Sequence, residues 1–205
     1  ASPWSGTQST KVNKSFTIYF PNVMKDYAEA SLVNGDFELG DVDWISYSDQ
    51  GWQLILTELA EGVAPHGGNW AVWLGGDENE IAYIEQGVHV PSSAPYLGFW
   101  YWIGSEDWCG YNDEAFVLIN GITIQRYDLC AGNNTYGWVN QVFSLEDYAG
   151  QTVVLRFMVT TESSLNSNFF LDDVAWQSSA ASQAIEALPH SPAAMADGLS
   201  ARGGG

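Results

Sequence analysis

Basic residues are scarce in this 205-residue chain: six Lys and Arg stand against 25 Asp and Glu, for a net charge of −19. Phosphate contacts need Lys and Arg, so nucleic acid is excluded as a partner, and an anionic membrane surface is excluded for the same reason. No apolar run reaches the roughly 18 residues that a membrane-spanning helix needs. There are three histidines, His66, His89 and His190, and no GxSxG, HExxH, CxxC or phosphate-binding glycine loop. Paired carboxylates support glycoside hydrolysis, but among 25 acids a neighbouring pair carries no information. The sequence therefore reads as a non-enzyme.

What is plentiful is aromatic surface, with ten Trp, ten Tyr and nine Phe. Such side chains bury much area, stack on flat ligands such as sugar rings and anchor protein interfaces. Charge is unevenly placed. Residues 1–25 hold Lys11, Lys14 and Lys25 and no acid, whereas all 25 acids lie beyond them with three arginines. A basic leader on an acidic body is attracted to its own body or to a neighbour's. The plainer reading is that the lysines protect a strand edge from aggregation. The opening Ala1-Ser2-Pro3 reads as a mature N-terminus after signal cleavage.

Strand patterns fill most of the chain. In the leader, Phe16, Ile18 and Phe20 alternate with Thr17 and Tyr19, and Pro21 ends the run. From Leu32 onward, short strands are expected at 52–57, 70–74, 80–90, 96–103, 114–119, 122–129, 138–143, 152–161 and 169–176, with one helical turn near 145–148. Asn34-Gly35, Gly67-Gly68, Gly75-Gly76, Asn120-Gly121 and Gly132-Asn133 supply turns. The fold class that follows is all-β, a jelly-roll β-sandwich over residues 31–177. Residues 1–30 form a leader with an extra strand, and 178–205, rich in Ala, Ser, Gly and Pro, an irregular tail. Leu97, Phe99, Tyr101 and Ile103 share one strand face, as do Val153, Leu155, Phe157 and Val159. The face opposite the first set carries Trp100 and Trp102. It is where a ligand or partner would lie, unless a loop covers the two tryptophans.

Asn120-Gly121 suits a two-residue type I′ hairpin, because both positions favour positive φ. In that register Val117 and Ile119 pair with Ile124 and Ile122, all on one side. Cys109 and Cys130 then fall two residues short of facing each other, and a small slip in 105–110 joins them in a disulfide. The alternative is a pair of buried free thiols. A bridge places the chain in an oxidising compartment.

The acids cluster in ways that suit a hard cation with oxygen ligands. Asn34-Gly35-Asp36-Phe37-Glu38 forms one group, and Leu171-Asp172-Asp173-Val174 places two aspartates inside an apolar strand, costly unless neutralised. Asp77-Glu78-Asn79-Glu80 and Glu106-Asp107 with Asp113-Glu114 read as solvated loop charge. Together with Trp44, Leu97-Gly98-Phe99-Trp100-Tyr101 and Trp138, the first two groups resemble MAM-like and carbohydrate-binding jelly-roll modules of secreted proteins. The stretch 83–174, with Cys109-Gly110-Tyr111 and Asp128-Leu129-Cys130, is similar to modules appended to secreted bacterial metallopeptidases of the immune inhibitor A type. The peptidase's own HExxH is absent. The resemblance implies a structural calcium ion held by Asp36, Glu38 and Asp173, with Asp172 as alternative.

Such modules bind sugars, bind proteins or space domains, so the fold alone leaves function open. The leading expectation is a bacterial extracellular or cell-surface structural subunit. It would polymerise with copies of itself by donating the strand of Phe16, Ile18 and Phe20 to a neighbour's sheet edge. The alternative is a carbohydrate-binding or adhesive module that recognises polysaccharide with Trp100 and Trp102.

Overall fold

The computed structural model describes residues 31–110, 112–163 and 165–180. The proposed donor strand and the tail beyond residue 180 lie outside the described residues. Ten strands run in the order β1 Ile45–Ser48, β2 Ile55–Leu56, β3 Ala71–Gly75, β4 Ile81–His89, β5 Tyr96–Ser105, β6 Glu114–Ile119, β7 Ile122–Asp128, β8 Val139–Ser144, β9 Thr152–Thr160 and β10 Ser167–Gln177. Short 3₁₀ turns occupy Ala131–Asn133 and Glu146–Tyr148, the latter at the expected helical turn.

The strands form two five-stranded sheets, ordered β1-β4-β9-β6-β7 and β2-β3-β10-β5-β8. Every pairing is antiparallel. This is the expected β-sandwich. Alternation along the strands decides which side chains meet between the layers. From β9 come Val153, Leu155, Phe157 and Val159, and from β5 Leu97, Phe99 and Ile103, all buried. Phe99 meets Phe157 edge-on across the layers, with ring centroids 5.1 Å apart. Full burial of such side chains contributes roughly 1.5–3 kcal/mol each.

Entry to the sandwich is fixed by the Asn34–Glu38 turn. Asn34 and Phe37 both adopt positive φ, 51° and 58°. Asn34 Nδ2 donates to the carbonyls of Gly40 and Val42, and the Trp44 indole donates to the Asn34 carbonyl. Phe37 is thereby driven into the core, fully buried. The Val174 N–H of β10 donates to the Gly35 carbonyl at 2.8 Å, so this turn is tied to the last strand.

Four local expectations need correction. Glu80, Asp107 and Asp113, expected as solvated loop charge, are buried. Strand β1 carries no clean buried alternation, since Ile45 and Tyr47 are both exposed on an edge, and it was not expected. The 52–57 strand contracts to two residues. In the hairpin, Asn120 and Gly121 do adopt positive φ and Ile119 faces Ile122. A register shift between Val117 and Leu118 then pairs Val117 with Gln125, and Ile122 is left exposed while Val117 and Ile119 are buried. A bulge of this kind admits one extra residue on one strand and turns the pattern over. The disulfide forms as expected: Cys109 and Cys130 are bonded, with Cα atoms 4.9 Å apart.

Candidate functional site

On the outer face of the second sheet, β3, β10 and β5 set Trp73, Phe170 and Trp102 side by side, with Trp73 opposite Phe170 and Phe170 opposite Trp102. Alternation requires this placement, because their neighbours Val72, Leu74, Phe169, Leu171 and Ile103 point into the core. Asn168, also on this face, accepts the Trp73 indole N–H at 2.8 Å and donates to the Gly104 carbonyl at 2.8 Å. One amide thus fixes the indole across three strands.

The loop of residues 57–70, between β2 and β3, crosses this face and is anchored along its second half. Asp172 Oδ2 accepts the N–H groups of His66 and Gly67. Glu38 Oε1 accepts those of Asn69 and Trp70 at 2.7 and 2.8 Å, and these bonds hold its carboxyl below the usual range. The His66 ring stacks on Trp100 and its Nδ1 rests against Asp173 Oδ2. Trp138 donates from its indole to the Ala64 carbonyl and meets Trp102 edge-on, centroids 6.1 Å apart. The expected pair of tryptophans is therefore divided: the loop covers Trp100, whereas Trp102 lines an open groove.

That groove has a volume of about 560 Å³, within the range of about 300–1,000 Å³ typical of small-ligand sites. Trp73, Phe170 and Trp102 line it together with Asn134, Asn168 and Ser105, and residues 60–63 of the crossing loop also border it. Asn134 is committed to the backbone of Ser105 through both amide atoms. Three further lining side chains, Glu61, Glu106 and Asn166, are exposed and make no hydrogen bond to another described residue. The groove thus combines fixed aromatic surface with free hydrogen-bonding groups. Its charged lining is wholly acidic, and the arginines of the described residues, Arg126 and Arg156, belong to the other sheet. Sequence reasoning missed Trp73, Phe170 and Asn168, which come from strands distant in the chain. The opposite outer face carries Tyr47 stacked on Tyr83, and Tyr83 lies beneath the Arg156 guanidinium, itself paired with Glu85.

The residues expected to hold calcium fall on both sides of the crossing loop. Asp172 is fully buried, and burial pushes its carboxyl up to about 7. Asp173, with φ of 49°, sits at the β10 register shift and turns outward toward His66. A Cβ on Gly68 would lie 2.2 Å from Glu38 Oε1 and one on Gly67 3.0 Å from Asp173 Oδ2, so the Glu38 and Asp173 carboxylates lie against bare backbone. Asp36 is exposed. Among the described residues no three His, Cys, Asp or Glu side chains are grouped to hold a metal ion.

Solved structures share this fold. TmCBM61, a carbohydrate-binding module solved with β-1,4-galactotriose, is 18% identical; the match covers 72% of this chain and 97% of that one, with a TM-score of 0.52. The K3 cleaved adhesin domain of Lys-gingipain from Porphyromonas gingivalis W83 is 17% identical over 72% of this chain and 99% of that one, with a TM-score of 0.53. No protein-family model and no curated protein matches the chain. The chain is a β-sandwich of the kind seen in carbohydrate-binding modules and adhesin domains. The MAM and immune inhibitor A side of the sequence resemblance is not confirmed by these structures.

Proposed function

We propose that this chain is a non-catalytic carbohydrate-binding module of an extracellular protein, with the Trp73–Phe170–Trp102 groove as its site. The observation that carries this reading is the groove itself: Trp73 and Trp102 present partly exposed rings beside the buried Phe170, and carboxylate and amide groups without a hydrogen bond among the described residues border it. Sugar rings present apolar C–H faces to aromatics and hydroxyls to polar groups, which matches that division. The acidic lining favours neutral glycans over uronic or sulfated ones, since like charges repel. The disulfide suits an oxidising, extracellular setting. Polymerisation by strand donation rests on residues outside the described region and draws no support from the groove, so glycan binding is preferred.

Isothermal titration with β-1,4-linked galacto-, gluco- and xylo-oligosaccharides tests the reading. Trp102→Ala is expected to weaken binding by at least about tenfold, the order that loss of a buried stacking ring brings. Tyr47→Ala, on the opposite face, leaves it unchanged. Loss of binding in Tyr47→Ala but not in Trp102→Ala would move the site to the other sheet, and turnover of the bound sugar would overturn the non-catalytic assignment.

Calcium is proposed as a structural ion held by Glu38 and Asp173 against residues 67–68. Bound there, it would neutralise the carboxylates that press on the loop bordering the groove.

A further inference from the structure

A second depression adjoins the groove. It has a volume of about 240 Å³ and is lined by Trp52, Gln53, Leu54, Leu56, Trp73, Gly75 and Gly76. Trp73 and Gly76 belong to both depressions. Ligand sites that stand alone are larger, about 300 Å³ and upward, so the smaller depression reads as a continuation of the groove.

Two features of its lining suit a ligand. Trp52 is 58% exposed, yet its indole donates to Asp77 Oδ2 at 3.1 Å, so a large apolar ring is held in place at the surface. Exposed large aromatics normally lose conformational freedom on binding, and a ring fixed in advance loses less. Gly76 stands at the junction with φ of 87°, and a Cβ there would lie 2.8 Å from Trp73 Nε1. Any side chain at 76 would crowd Trp73 where the two depressions meet.

Granted the glycan-binding function proposed above, we propose that the Trp52 depression is an additional sugar-ring subsite, continuous with the groove past Trp73 and Gly76. The ligand is then a run of several linked neutral sugars, and mono- and disaccharides fill only part of the site. Trp52 and Trp73 supply the stacking surface, and Leu56 and Gln53 border it.

The test is titration of the intact chain with β-1,4-linked galacto-, gluco- and xylo-oligosaccharides of two to six units. In the series that binds, the tetrasaccharide is expected to bind about tenfold more tightly than the disaccharide, the increment of one further stacked ring. Trp52→Ala is expected to bring that ratio to within about twofold of unity, and Trp52→Phe, which keeps a ring, to retain most of it. Thermal melts of both variants should match the parent, because the Trp52 side chain is mostly exposed. A length-independent affinity, or a length gain that survives Trp52→Ala, overturns the subsite while leaving the groove assignment standing. Failure of every oligosaccharide to bind overturns both.

Discussion

His66 lies flat on Trp100, ring centroids 4.0 Å apart and planes 18° from parallel. The contact joins a loop residue to the middle of β5 and leaves Trp102, two positions on, to line the groove. Backbone bonds from His66 and Gly67 to the buried Asp172 hold the loop over this point. Replacing His66 with Ala removes the stacked pair, worth about 1 kcal/mol, together with the Asp173 contact. The melting temperature is expected to fall by about 2–4 °C for a domain of this size. Glycan affinity should fall with it, because residues 60–63 of the same loop border the groove. Calorimetry of His66→Ala beside the parent checks the first, and an unchanged melt would show that the stack contributes nothing.

The Cys109–Cys130 bridge supports the other side of the groove. Ser105, Glu106 and Asn134 line it and flank the bridged segments, and Ala131 N–H donates to the Asp107 carbonyl between them. Closing a loop between cysteines 21 positions apart contributes roughly 3 kcal/mol through the unfolded state. Cys109→Ser with Cys130→Ser should therefore melt several degrees lower than the parent. Reduction of the parent should reproduce the shift, and a double variant that melts with the parent would refute it.

The core was readable where long strands alternate cleanly, as β4 and β9 do along their whole length. Leu97, Phe99 and Ile103, and Val153, Leu155, Phe157 and Val159, were placed by pattern alone and are buried, whereas Tyr101 of the same expected face is half-buried. Strand β1 was not readable, because its apolar residues Ile45 and Tyr47 face solvent while Ser48 bonds the buried Glu80. The bulge beside Val117 left no mark in residue types. Of the groove, Trp102 was visible as an aromatic on a mixed face. Trp73, Phe170 and Asn168 were not, because the order β3-β10-β5 joins strands far apart in the chain. The cover over Trp100 depends on Glu38, Asp172 and Asp173, and no local pattern links these to residues 66–70.

Calcium makes a separate prediction. If an ion is held between Glu38 and Asp173, binding to the folded state alone raises stability by mass action. The melting temperature should rise with calcium in the millimolar range or below and drop in chelator, and Asp173→Asn should abolish the difference. Superimposable melts with calcium and with chelator would refute the ion.

Glu80 gives a pH dependence of defined sign. It is fully buried at the end of the first sheet, with Oε1 accepting the Ser48 hydroxyl and Oε2 without a partner among the described residues. Burial raises its pKa above 4.5, and the nearby Asp49 and Asp77 carboxylates raise it further against the Ser48 hydrogen bond. In the unfolded chain Glu80 titrates near its ordinary value, so as pH climbs past 4.5 the unfolded state ionises first. The contribution of Glu80 is therefore most favourable below 4.5, declines as pH rises to the folded-state value, and is constant above it. Glu80→Gln keeps the acceptor for Ser48 and removes the buried charge. At neutral pH the variant should be more stable by about 1 kcal/mol, the scale on which single substitutions act, because its amide has no charge to bury. That corresponds to a melting temperature about 2–4 °C higher. The gain should vanish below about pH 4, where the carboxyl is protonated in both states. Melting curves of parent and variant between pH 3.5 and 8, read as their difference, isolate this group from the other acids. A difference that stays constant across that range, or that grows toward acid, would show that Glu80 is not held in its neutral form by the fold.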